Sequence, residues 1–154
     1  MMAIIDYGEA RLTTRRLTQG KNLNEVTEYF LTVMTQKLQS SEYAAQGVQA
    51  AKRDARTVDI STPHGDVVCN VCHVRLDTDV AGRLTFTAIR TDVGGNVSGT
   101  EILTVVVAAD WTVERISDTT AGGRFGPTVT GDSIIDEINV LMLSKLQASL
   151  PQVQ

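Results

Sequence analysis

The chain has 154 residues, 42% of them apolar and 21% charged, with a formal net charge of −4. That length suits one domain with its own core, which needs no disulfide or metal to hold it. The acidic balance argues against gripping nucleic acid by overall charge, and no run approaches the roughly 20 apolar residues of a membrane span.

Met1 to Asp6 has neither the basic segment nor the apolar stretch of a secretory signal. The expected compartment is the cytoplasm, or a virion assembled in it, with both cysteines reduced. Residues 1–20 carry Ile4, Ile5, Tyr7, Leu12 and Leu17, with Arg11, Arg15 and Arg16 between them, and show no steady period. They read as an N-terminal arm or edge strand ahead of a single domain at 21–150 and a tail at 151–154.

From Leu23 the apolar residues Val26, Tyr29, Phe30, Val33, Met34 and Leu38 recur at helical steps, with Asn22 and Glu25 placed as a capping box. Ser40 and Ser41 interrupt the pattern, and Tyr43, Ala44, Val48 and Ala51 predict a continuation or second helix ending near Ala55. Val58 and Ile60 then alternate with polar neighbours, as in a strand. Turn residues Pro63 to Asp66 lead to a second strand, Val67 to Leu76, and a third, Arg83 to Thr91. Leu103, Val105, Val107, Ala109, Trp111 and Val113 predict one long fourth strand, bent by a bulge at Ala108 to Asp110. Gly- and Thr-rich residues 118–131 read as loop. Asp132 or Ser133 caps a closing amphipathic helix whose stripe is Ile134, Ile135, Ile138, Leu141, Met142 and Leu146, with Asn139 on the solvent side. The expected fold is a two-layer α+β domain: an N-terminal helix or helix pair, a four-stranded antiparallel meander and a C-terminal helix.

Cys69-Asn70-Val71-Cys72-His73 has the C-x-x-C-H form of c-type haem attachment and resembles a cytochrome c signature over this segment alone. The resemblance implies thioether bonds from Cys69 and Cys72 and iron ligation by His73, with His64 as a second axial ligand. The same residues invite a zinc site. Strand alternation opposes both, because it turns Cys69 and Cys72 to opposite faces. Asp77, Asp79, Asp136 and Glu137 fit turns and a helix start better than a catalytic pair. Gly122 to Gly126 lacks the Lys and Ser/Thr of a phosphate loop. No catalytic residue, metal or cofactor is expected, and the chain is not expected to be an enzyme.

The second and fourth strands are apolar on both faces, whereas helices from one domain cover only one face of an antiparallel sheet. The remaining face is expected to be covered by the N-terminal arm or to meet another subunit, the latter through Val67, Val71, His73, Ile102, Thr104 and Val106, with Val68, Val74 and Leu76 as the other choice on the second strand. Arg11, Arg15 and Arg16 are further interface candidates, with nucleic acid as a secondary partner for that cluster. The expected function is a self-associating structural protein, such as a viral or bacteriophage capsid or tail subunit, forming a homo-oligomer or larger assembly away from membranes. The alternative is a small-ligand or haem-binding domain built on Cys69, Cys72 and His73.

Overall fold

Asp6 caps the first element of the computed structural model, which describes residues 4–153. Its carboxylate accepts from the Glu9 N–H at 2.8 Å and starts α1 (Tyr7–Leu38), one helix of 32 residues and about 48 Å. The arm or edge strand expected at residues 1–20 is thus helix from Tyr7 onward, and residues 1–3 lie outside the described residues. No residue before Gly20 in this helix is buried, so its first turns need no apolar stripe. The buried face begins at Gly20 and continues through Leu23, Val26, Phe30, Leu31, Met34 and Leu38. Asn22 and Glu25 therefore lie inside the helix, and its true cap is Asp6 with Glu9.

Ser40 caps a short α2 (Ser41–Ala45), which stops where Gly47 takes φ +81°. There the Val48 N–H donates to the Tyr43 carbonyl at 3.0 Å, and the Gly47 N–H to that of Ala44 at 3.1 Å. This glycine-terminated closure releases the chain into a strand. The expected helix to Ala55 is instead β1 (Gln49–Asp54).

The strands β2 (Thr57–Thr62), β3 (Gly65–Leu76), β4 (Asp79–Thr91), β5 (Val97–Val107), β6 (Val113–Ile116) and β7 (Thr119–Thr120) follow. With β1 they form one seven-stranded sheet in strict sequence order, antiparallel throughout, rather than a four-stranded one. The expected long fourth strand is broken at Ala108 to Asp110, by a turn and not a bulge. Trp111 takes φ +67°, its N–H donates to the Ala108 carbonyl at 3.2 Å, and β6 folds back on β5. Alternation survives the reversal because Val113 pairs with Val107 and keeps the same face.

Asp132, with φ +46°, precedes α3 (Ser133–Ala148). Both long helices pack on one face of the sheet, giving the two-layer α+β fold. The core joins Leu23, Phe30 and Met34 of α1 to Val58, Ile60, Val67, Cys69, Leu84, Phe86, Leu103 and Val105 of the sheet and to Ile135, Ile138 and Met142 of α3. Close approach of α1 requires Gly82, where a Cβ would lie 2.7 Å from Thr27 Cγ2. Lys37 Nζ ties the helices by donating to the Gly131 carbonyl at 2.8 Å and pairing with Asp136 at 3.0 Å. Asn139 is fully buried and Leu141 only half-buried, which reverses the expected orientation of these two residues. Among the described residues, no helix is long and apolar enough to cross a membrane.

Candidate functional site

Alternation along the strands gives the sheet a second face that neither α1 nor α3 reaches. It carries Val68, Cys72 and Val74 from β3, Thr85, Thr87 and Ile89 from β4, and Thr104 and Val106 from β5, all half-buried. Thr85 stands opposite Thr104, and Val68 opposite Thr87. At its β1 side the face dips into a depression of about 670 Å³ lined by Ala51, Asp59, Ser61, Val68 and Ile89. Charges edge the apolar centre: Arg53 and Asp59 form an ion pair, and Arg83, Glu101 and Arg115 lie exposed near it.

Thr104 and Val106 occupy the open face, whereas Ile102 falls at the register shift opposite Phe86 and Thr87 and packs against the core. Val67 and Val71 do not lie on the open face either. They are 0% and 5% exposed, and they pack with the core under the helices. The register decides this: Val67 pairs with Ala88 and Val71 with Leu84, both core residues, so the alternating set Val68, Cys72 and Val74 points outward.

The two cysteines separate as alternation requires. Cys69 is fully buried in the core, where desolvation pushes its thiol pKa well above the ordinary value. Cys72 sits on the open face beside Arg83, whose guanidinium lies 3.8 Å from its sulfur. The strand between them places the thiols on opposite sides of the sheet, so they cannot both bond one haem or one zinc ion. His64 occupies the β2–β3 turn near Gln147 of α3, while His73 lies toward the far end of β3, with Nε2 3.0 Å from Asn24 Oδ1. Desolvation and the nearby Arg56 charge lower the His73 pKa from 6.5. Among the described residues, no cluster of three or more His, Cys, Asp or Glu is placed to hold a metal.

The arginine cluster lies on the exposed first turns of α1. Arg11 stacks over the Tyr7 ring at 5.7 Å, Arg15 pairs with Asp79 at 3.1 Å, and Arg16 Nε donates to the Thr78 carbonyl at 3.2 Å. Arg15 and Arg16 therefore clamp the helix to the β3–β4 turn. Behind Arg16 a groove of about 750 Å³ runs between α1 and the end of the sheet, lined by Leu17, Lys21, Asn24, His73, Arg75 and Val80 among others. Sequence reasoning missed Lys21 and Arg75, because they come from segments far apart in the chain.

At the other end of the helix layer Tyr29 OH donates to Asp132 Oδ2 at 2.6 Å, and Asp132 Oδ1 accepts from the Gly126 N–H at 2.8 Å. Tyr29, Phe30, Trp111 and Phe125 pack edge-to-face or stacked around this link, with neighbouring ring centroids 5.2–6.4 Å apart. The Asp132 hydrogen bond, desolvation and the carboxylate charge together push the Tyr29 pKa up to about 12. This cluster is structural: it locks the β7–α3 loop against α1.

No protein-family model matches the chain, and neither a curated protein nor a solved structure does.

Proposed function

We propose that the chain is a self-associating structural subunit, of the kind that builds a viral or bacteriophage capsid or tail, and that a second copy docks on the open face of the sheet. The supporting observation is that face itself: Val68, Val74, Ile89 and Val106 form an apolar centre on the side of the sheet away from α1 and α3. About five strands at ~4.8 Å spacing and about seven residues at ~3.3 Å give a projected area of roughly 550 Å². Side-chain relief brings the accessible surface toward the ~800 Å² per partner of a stable interface. The surrounding charges balance, with Arg53, Arg83 and Arg115 against Asp59, Asp66 and Glu101, as suits a surface that meets itself about a two-fold axis.

Sedimentation velocity across a concentration series tests the proposal. The wild type is expected to associate, and Val106→Asp to remain monomeric with unchanged circular dichroism, because the new carboxylate would have to be desolvated at the contact. A wild type that stays monomeric at high concentration refutes the reading. Unfolding by Val106→Asp would mean that this residue supports the monomer instead.

A further inference from the structure

The groove between α1 and the end of the sheet brings together two features, an open strand edge, which β1 and the first half of β5 also have, and exposed positive charge. β2 begins at Thr57, opposite Asn70, and the last link on that side is the Val71 N–H donating to the Arg56 carbonyl at 3.0 Å. β3 continues to Leu76, and among the described residues no strand flanks Cys72–Leu76 on the β2 side. Peptide groups of an antiparallel strand point alternately to its two neighbours. Those of His73 and Arg75, next in alternation after Val71, therefore face the open side.

The second feature is positive charge held in no ion pair. Lys21 and Arg75 line the groove, and both are exposed. Arg56 stands close enough to His73 to depress its titration. None of Lys21, Arg56 and Arg75 forms an ion pair among the described residues. Of the acidic residues near them in sequence, Asp54 accepts from the Arg56 N–H at 2.8 Å and Asp79 is engaged by Arg15 and Gln19. Glu25 and Asp77 are exposed and form no ion pair among the described residues. A chain of net charge −4 thus keeps a basic strip beside a free row of backbone donors and acceptors. Leu17, 71% exposed, and Val80 supply apolar contact along the same groove.

We propose that this groove binds an extended acidic segment of a partner protein, which adds as a strand to the Cys72–Leu76 edge of β3. The backbone ladder supplies the pairing, and Lys21, Arg56 and Arg75 select carboxylates on the segment. A small anion would use the charges and leave the edge unpaired. The edge is what favours a peptide.

The probe is a short fluorescein-labelled peptide alternating Glu and Val, titrated into the full chain and read by anisotropy, with amide hydrogen exchange measured in parallel. Binding is expected to weaken with added salt and to slow exchange at the His73 and Arg75 amides. A peptide alternating Lys and Val should not bind, nor should one whose backbone N–H groups are removed by alternate prolines. The double variant Lys21→Glu, Arg75→Glu, altered only at exposed positions, should keep its circular dichroism and lose about tenfold in affinity. The proposal is overturned if the Glu-Val peptide fails to bind, if the proline peptide binds as well, if the two amides stay unprotected, or if the double variant binds unchanged. Tighter binding of an oligothymidylate than of the peptide would also overturn it, assigning the strip to nucleic acid.

Discussion

Asp132 is a buried carboxylate, 6% exposed, that spends both oxygens on other segments and none on capping its own helix. Hydrogen bonds to a charged acceptor are worth roughly 1.5–3 kcal/mol, so Tyr29→Phe should destabilise the protein by about that much in chemical denaturation. The phenol's folded pKa, about 12, lies above its ordinary 10.0. The stability it contributes is complete below about pH 10 and is lost as pH rises through 12. In an ultraviolet titration of the phenolates one tyrosine should ionise near pH 12, and Tyr29→Phe should abolish that step. Asn139 carries the opposite lesson. Its Nδ2 donates weakly to the Met34 carbonyl at 3.4 Å, and its Oδ1 has no partner although it is buried. Asn139→Leu should therefore be neutral or stabilising by up to ~1 kcal/mol, whereas Asn139→Ala leaves a gap and should cost about 1–2 kcal/mol. A thermal-melt comparison of the two variants decides this. The position was within reach of the sequence: at 100° per residue Asn139 lies only about 40° from Ile135, and Leu141 about 120° away. Polarity concealed what periodicity implied.

Elements were legible where they bury a stripe and illegible where they do not. The Leu23–Leu38 face, the β3 and β4 alternation and the α3 stripe around Ile138 all reflect contact with one core. The first turns of α1 touch little of it, so their helicity rests on Asp6, Glu9 and the clamp to the β3–β4 turn. Asp6→Ala should cost about 1 kcal/mol, seen as faster amide exchange confined to the first turns. The β5–β6 reversal was hidden because both strands present the same parity to the core. Trp111 marks it through a positive φ that no spacing rule reveals. The aromatic cluster beyond that turn depends on Gly126. Its φ is +124°, and a Cβ there would lie 2.8 Å from the Trp111 ring. Gly126→Ala should destabilise by at least ~2 kcal/mol and change the Trp111 fluorescence, since both the backbone and the ring must move.

For the whole molecule, the two-layer α+β plan and the helix–sheet–helix order followed from pattern alone, while the strand number did not. The open face was anticipated from strands apolar on both sides. Which residues of β3 lie on it depended on register, a long-range property that a single strand does not carry. The basic groove was beyond reach for the same reason, since Lys21 and Arg75 line it together only once the sheet is assembled. The order of the strands has a further consequence, for the timing of folding. Each strand pairs with its neighbour in sequence, so the sheet can form hairpin by hairpin with short loop closures. The Tyr29–Asp132 bond instead joins residues 103 apart and encloses every strand. Closing a loop of that length costs about 4 kcal/mol in chain entropy, which favours late formation. In stopped-flow measurements Tyr29→Phe should leave the refolding rate nearly unchanged and accelerate unfolding by about tenfold or more. The link between α1 and Asp132 then acts as a latch that sets how long the folded state survives, with little influence on how fast it is reached.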